Sequence, residues 1–402
     1  MITFVVPTRD RWLGGRGILA RTLAEISAAA RGGGLRAEVL IVDNASESPP
    51  DATAAQRACP GVPVRVLRLD HNAGAAARNL GAREADRASD WLVLLDDDSW
   101  PVGSAAGGGR LLAALAEAPA EVGAIAGEIT LPGRRGRDGR TPLVHEAGGL
   151  PEVFVGCGVA IRREVFCSLG GYDATFGYYA EEYDLCARMI LSGLRVAFDG
   201  RLAVHHCKTS TGRSFDRIAG NLVRNNAWVA ARYAPPGRVL AEACSVVTRY
   251  GSIAHTEDAV PGFTRGLAQA VAGWRRQPRR PMSTAQWARF TGLEAAQRTL
   301  GELHRTAPLR RCAIVSPGKN AAVVARALDD LGVQRTSRPS EADTLVIGTL
   351  SPGPMLDGLA HWTARSGGRR VVCPWQPAHA GASAAAPPVT HAAITPAAPL
   401  AA

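Results

Sequence analysis

Three consecutive carboxylates, Asp96-Asp97-Asp98, follow five apolar residues, Trp91-Leu92-Val93-Leu94-Leu95, and lead into Ser99. Acids this close repel one another unless a cation shares their charge. Hard oxygen donors suit Mg²⁺ or Mn²⁺, and either ion binds phosphate oxygens in turn. Taken alone, such a run has a blander reading, a solvated acidic turn that caps the following helix. A second acidic group, Glu181-Glu182-Tyr183-Asp184, opens a helical pattern that runs to about residue 192. A helix dipole favours acids in its first turn without any catalytic duty. Apolar and aromatic neighbours, among them Tyr178, Tyr179 and Tyr183, would instead raise a carboxylate's pKa and suit it to proton abstraction. His205-His206 close a strand, where successive side chains point to opposite faces, so at most one of them serves a common site. A buried, hydrogen-bonded histidine is the alternative for either. Ser316-Pro317-Gly318-Lys319 resembles a phosphate turn only faintly, because neither GxGxxG nor Walker spacing is present.

These residues need elements to hold them. The run 91–95 reads as a strand buried on both faces, of the kind found inside a parallel sheet. Earlier strands are expected at 2–6, 38–42 and 64–69, with helices at about 17–30 and 75–85. Strand–helix alternation at this spacing predicts an α/β fold, a doubly wound, mostly parallel sheet with right-handed crossovers. Each predicted strand ends in polar residues, so the carboxyl ends converge on one polar rim, where open α/β sheets bind ligands. A Gly/Ala-rich helix then follows Pro101, and a strand is expected at 122–129. The loop 132–142, PGRRGRDGRTP, is basic and glycine-rich: a solvated surface loop, or a lid whose arginines meet phosphate. The sheet resumes at 153–162, and a strand pair ends at 203–206. Residues 213–305 are helical and amphipathic, for example Ile218–Tyr233 and Gln286–Leu303. A small accessory α/β unit has strands at 312–316, 344–347 and 370–373 and a helix at 318–331. The stretch 376–402 has no charged residue, is Ala/Pro-rich and is expected to be disordered. The expected organisation is therefore 1–235, a helical extension at 236–307, the small unit at 308–375, and a tail at 376–402.

With 402 residues, 46% of them hydrophobic, the chain is long enough for more than one domain and a real core. No apolar run approaches the roughly 18 residues that span a bilayer, and the N-terminus reads as a strand, not a signal peptide. Eight scattered cysteines form no CxxC pair, so neither a zinc site nor a disulfide framework is indicated, and a reducing cytoplasm is the simplest home. The net charge of +10 would attract nucleic acid, an anionic membrane or a phosphorylated small molecule. Nothing supplies a nucleic-acid motif or an aromatic stacking platform, aromatics being only 5%. A phosphate-bearing substrate fits the basic balance, and peripheral contact with a membrane stays open.

Residues 1–235 resemble a family 2 glycosyltransferase of GT-A fold. The resemblance is carried by an ordered series: VVPTRDR, IVDNAS, HNAGAAARNLGA, LLDDDSWP, GCGVAIRREVFCSLGGYD and YYAEEYDLCARMILSGLRVAF. It implies a nucleoside-diphosphate sugar donor and an acceptor hydroxyl or amine on a small molecule or a cell-surface glycan. It further implies a divalent cation, Mn²⁺ or Mg²⁺, and inversion by a single displacement. By the same resemblance Thr8, Arg9 and Asp43 hold the base and ribose. Asn72, Gly74, Arg78 and Asn79 shape the pocket near the diphosphate, and Asp96 and Asp97 complete the nucleotide-sugar site. Asp98 ligates the metal, with Asp96 and His206 as further ligands. The acceptor's base is implied to be Glu182, where the family commonly has Asp; Glu181 is the substitute and Asp184 a helper or structural cap.

A nucleotidyltransferase also places acidic metal ligands on a nucleotide-binding α/β sheet, but VVPTRDRWLGGRG matches its basic phosphate loop poorly. A non-catalytic basic adaptor that retains a degenerate transferase fold is the reading from another class, and the intact DDDS and EEYD segments oppose it. High Ala, Arg and Gly content points to a GC-rich bacterial genome. Donor, acceptor, linkage and oligomeric state are not encoded in any motif.

Overall fold

The computed structural model describes residues 1–12, 17–102, 104–133, 142–208 and 214–379. The loop arginines of 134–141 and the stretch from 380 onward, both subjects of expectations above, lie outside the described residues.

Nine strands make the first sheet: β1 (Ile2–Thr8), β2 (Ala37–Asp43), β3 (Val64–Arg68), β4 (Trp91–Leu95), β5 (Ser99–Pro101), β6 (Val122–Pro132), β7 (Leu143–His145), β8 (Gly158–Arg162) and β9 (Arg195–His206). Their order is β3-β2-β1-β4-β8-β6-β9-β5, with β7 on the edge of β6. The first four are parallel, as the strand–helix spacing predicts. Beyond β4 the sheet is mixed: β8 runs antiparallel to both β4 and β6, and β9 returns parallel to β6.

Alternation explains why β4 is apolar throughout. Leu92 and Leu94 join Val5, Leu40 and Val42 in the core on one face. Val93 and Leu95 join Phe4, Val6, Val39 and Ile41 on the other. Each fully buried side chain of this size stabilises the fold by roughly 1.5–3 kcal/mol, so both faces are strongly specified and the register cannot slip by one residue without inverting them.

Three expectations change. The sheet resumes at 158, not 153. The strand pair before His206 is one strand, β9, whose pairing with β6 jumps from Ala126↔Phe198 to Glu128↔Ala203. The extra residues loop out, and Arg201 clasps Asp199 across the bulge at 2.8 Å. The amphipathic stretch Gln286–Leu303 is two helices, Thr284–Thr291 and Leu293–Thr306, separated at Gly292. Helices Phe215–Tyr233 and Val260–Gly273 cross at backbone contact, a Cβ on Gly266 falling 2.1 Å from the Gly220 carbonyl oxygen.

The second sheet is fully parallel: β10 (Arg311–Val315), β11 (Gln334–Thr336), β12 (Thr344–Ile347) and β13 (Arg370–Val372), in the order β11-β10-β12-β13. Its apolar side chains, Val315, Leu345 and Trp375 among them, belong to the same core as Val5, Phe176 and Trp287. Polar ties reinforce the join: Asp357 to His145 and Ser351 to Gly148. The chain stays ordered past 375, with Ala378 bridged to Asp199 beside β9.

Candidate active site

The carboxyl end of β4 delivers Asp96, Asp97 and Asp98, and each meets a different neighbour. Arg78, buried on the helix Ala77–Glu84, donates to Asp96 Oδ1 and to the Leu95 carbonyl, the latter at 3.2 Å. Burial is the largest influence and opposes the Arg78 charge, but Asp96, Tyr172, Glu181 and Tyr178 together outweigh it and hold the guanidinium firmly charged. Its Nε is buried without a hydrogen-bond partner. Asp97 accepts from Thr8 Oγ1 at 2.8 Å, while Thr22 Oγ1 donates to its carbonyl at 2.9 Å. Burial first, and the Asp98 charge after it, push the Asp97 carboxyl up to about 7 despite Arg11. Asp98, almost fully buried, accepts from Arg11 Nη1 at 3.1 Å and stands 3.2 Å from His206 Nε2. The turn itself is closed by Ser99 Oγ, which accepts from the Asp96 N–H at 2.8 Å and donates to the Cys157 carbonyl at 3.0 Å.

His206 reaches this cluster from the end of β9, and His205 points the other way, against Trp100 with ring centroids 5.1 Å apart. Glu146 Oε2 lies 3.0 Å from His206 Nδ1 and fixes the ring, and Lys208 in turn donates to Glu146 at 2.8 Å. The buried Nε2 makes no hydrogen bond, yet it faces Asp98 Oδ1 at 3.2 Å and Asp96 Oδ2 at 3.9 Å. Ligand atoms of Asp96, His206 and Cys157 all lie within 4.8 Å of one another. An orphaned imidazole nitrogen converging with carboxylate oxygens is a donor set that fits a divalent cation, and the Glu146 contact is the outer support such a histidine needs.

Facing the strand-end acids is the start of the helix Glu181–Leu191. Tyr179 and Ala180 both take left-handed backbone, φ +73° and +64°, to turn the chain into it. Two non-glycine residues there cost roughly 1–2 kcal/mol each, and Asn225, wholly buried, holds the turn by donating to the carbonyls of Phe176, Tyr178 and Tyr179 at 2.6–3.0 Å. Glu181 is buried with Oε2 unbonded. Burial, then the Glu182 charge, drives its carboxyl well above the ordinary range. Burial also raises Glu182, but its own N–H, Arg78, the Gly156 N–H and Lys319 pull the other way. Two adjacent acids pushed apart in this manner suit one to hold a proton and the other to take one.

The other residues singled out in the sequence divide. Asp43 is wholly buried, held by the Ser46 N–H at 3.2 Å, and its Oδ2 lacks a hydrogen-bond partner, with Arg68 Nε 3.6 Å away. Such an acceptor is ready for a ligand N–H. Gly74 packs under the site with φ +63°, where a Cβ would lie 2.5 Å from the Gly177 oxygen. Asn72 caps it, accepting from the Gly74 N–H at 3.0 Å. Arg9 is half exposed on the rim beside Asp10. Asn79 spends both ends of its amide on the Tyr172 main chain at 2.8 Å. Asp184 is turned inward, accepting from Arg188, Arg232 and Tyr233 at 2.9, 2.8 and 2.6 Å. It anchors the helix to the one that carries Arg232 and Tyr233. Arg11, Glu146 and Cys157 join the site without having been singled out.

Residues 3–166 match the family model described as Glycosyl transferase family 2. No curated protein sequence matches the chain. Among solved structures, residues 1–349 of S. aureus TarS align at 13% identity over 76% of this chain and 87% of that one, with a TM-score of 0.45. GalNAc-T7 with UDP, GalNAc and Mn²⁺ aligns at 16% identity over 58% of this chain, with a TM-score of 0.40, and only 48% of that chain is spanned. The catalytic domain of Drosophila beta1,4galactosyltransferase 7 with xylobiose aligns at 17% identity over 49% of this chain and 63% of that one, with a TM-score of 0.30. Among the described residues no helix is long and apolar enough to cross a membrane.

Proposed function

We propose, from the premise that residues 3–166 are a family 2 glycosyltransferase domain of GT-A type, that this protein moves a sugar from a nucleoside-diphosphate donor to an acceptor hydroxyl or amine. The observation that carries the reading is the facing of two acidic groups. Asp96, Asp98 and His206 converge at one end of β4, and Glu181 and Glu182 open the helix opposite. Charge links the two, since Arg78 bonds Asp96 and also feels Glu181.

Asp43 and Thr8 would meet the nucleoside, and Arg78 would offer its charge to the diphosphate. Asp98, Asp96 and His206 would hold a divalent cation, Mn²⁺ or Mg²⁺, whose chemistry is to offset the charge that builds on the departing diphosphate. Glu182 takes the acceptor's proton as its oxygen or nitrogen attacks the anomeric carbon, and Glu181, kept protonated by burial, leaves that duty to its neighbour. One displacement on the face opposite the leaving group inverts the anomeric centre. The acceptor is a small molecule or a glycan.

A thermal-shift panel of UDP-, GDP- and dTDP-sugars, each with and without Mn²⁺, tests this. Native-state ligands stabilise the fold with affinity and concentration, by about 2.7 kcal/mol at a hundredfold excess over Kd, and so raise the melting point. The expected result is a nucleotide-specific shift that needs the cation and disappears in Asp98→Ala. A chain indifferent to every nucleotide sugar, with and without cation, overturns the reading.

A further inference from the structure

The chain contains two lysines against 44 arginines. Both lysines stand at the candidate site. Lys208 supports Glu146 behind His206. Lys319 comes from the second sheet, out of the SPGK turn that matches no phosphate loop. An ammonium is a compact charge with freely rotating donors, whereas a guanidinium brings a planar fork that is always charged. In a chain that meets almost every other need for a cation with arginine, these two places hold the compact one.

The route by which Lys319 arrives is specific. The order β11-β10-β12-β13 sends the crossover from β10 one way and that from β12 the other, which opens a crevice between β10 and β12 at the strands' carboxyl ends, where α/β sheets place ligands. Here that rim is tied shut and aimed at the first sheet. The Gly318 N–H donates to the Gly348 carbonyl at 2.8 Å, and the Leu350 N–H donates to the Lys319 carbonyl at 3.0 Å. Ser351 Oγ accepts from the Gly148 N–H at 3.0 Å, and Asn320 Nδ2 donates to the Thr291 carbonyl at 2.9 Å. Ser316 and Asn320 bracket the turn in left-handed backbone, φ +47° and +60°. A strained turn held from both sides marks a place where side-chain direction matters. What it presents is the Lys319 ammonium, which donates to Tyr183 Oη and lies 4.3 Å from the centre of that ring. Phe290 braces the ring edge-on at 6.1 Å.

Tyr183 adjoins Glu182, the carboxylate assigned above as base. The groups that face Glu182 are Arg78, Tyr172, the Gly156 main chain, Glu181 and Cys186 of its own helix, and Lys319. On the lysine, burial lowers the ammonium to about 8 and the Glu182 charge opposes it, with Arg249 beyond, bonded to Asn320. We infer that Lys319 is a positioning residue of the transfer step: seated on Tyr183, it balances and orients the Glu182 carboxylate at the acceptor side. The C-terminal α/β unit is then a working part of the transferase. The inference rests on the reading of Glu182 as base.

Two lysines make the test clean. Protein carrying ¹³C-labelled lysine should give two Cε signals, assigned with Lys208→Arg and Lys319→Arg. In Glu182→Gln the Lys319 signal should titrate at least half a pH unit lower, and Lys208 should not move. With the nucleotide sugar that binds best, Lys319→Met should release nucleoside diphosphate at least tenfold more slowly, at unchanged donor KM and melting point, and Lys319→Arg should recover most of that loss. A Lys319 midpoint indifferent to Glu182 overturns the inference. So does undiminished turnover in Lys319→Met, or a loss shared equally by Met and Arg with a lowered melting point. Wild-type protein that binds no nucleotide sugar instead sinks the transferase reading, and this inference with it.

Discussion

The contact between His145 and Asp357 should make the protein's stability fall as pH rises. His145 ends β7 on the first sheet, and Asp357 lies on the helix Pro352–Thr363 of the second unit. The imidazole is gripped from both sides, Nδ1 2.7 Å from Asp357 and Nε2 3.1 Å from the buried Glu128. Burial works against its charge, but these two carboxylates prevail and raise it from 6.5 to about 9. The folded value exceeds the unfolded one, so the stabilisation is whole below pH 6.5, declines between 6.5 and 9, and is absent above. The gap of 9 − 6.5 pH units, at about 1.36 kcal/mol each, amounts to roughly 3 kcal/mol. Asp357 is 39% exposed, and solvent screens its share, so about 2 kcal/mol is the working figure. Urea unfolding of the wild type and His145→Gln at pH 6 and at pH 9.5 isolates the term. The stability difference between the two proteins should shrink by about 2 kcal/mol over that range. A difference that stays constant would refute the assignment of the charge to this contact.

Three further outcomes follow from the site. Glu182→Gln should slow donor turnover by about a hundredfold or more, as loss of a general base does, while Glu181→Gln should cost less than tenfold; the reverse order would exchange their roles. Asp184→Asn should destabilise by about 3 kcal/mol in urea, because it leaves buried Arg232 without its full partner, and nucleotide-sugar binding measured on the folded fraction should be intact. Gly74→Ala should lower stability by at least about 2 kcal/mol, since it meets both a left-handed φ and the Gly177 oxygen; calorimetric melting checks it, and an unchanged melting point would mean that the 74–76 turn relaxes freely.

What the sequence disclosed depended on how local the signal was. The apolar run 91–95 and the acids after it are contiguous, and a strand buried on both faces has no other simple reading, so the element and the place of the acids at its end were legible. Strand alternation meant that His205 and His206 could not both serve one site, and the structure turns the two apart. Arg11, Glu146 and Cys157 were not legible because each reaches the site through pairing with distant strands, and no spacing in the chain signals it. The same holds for β5 and β7, three residues each, which exist only because β9 and β6 offer them an edge. Asn79 shows a different limit: an amide is equally able to face a ligand or to satisfy two main-chain groups, and only the neighbouring Tyr172 loop reveals that it does the second. Lys319 was visible as a lysine in a turn, but its destination lies 136 residues away at Tyr183.

The backbone crossing of the helices Phe215–Tyr233 and Val260–Gly273 bears on how this protein could be engineered. At an exposed helical position, exchanging glycine for alanine usually gains about 1 kcal/mol, and schemes for raising heat tolerance rely on it. At Gly266 the added methyl would arrive 2.1 Å from the Gly220 carbonyl, and the two helices would have to separate. The first of them carries Asn225, whose amide holds the turn ahead of Glu181 and Glu182. A residue chosen for robustness far from the chemistry would therefore loosen the presentation of the acids, and the sites at which thermotolerance can be added safely exclude this crossing.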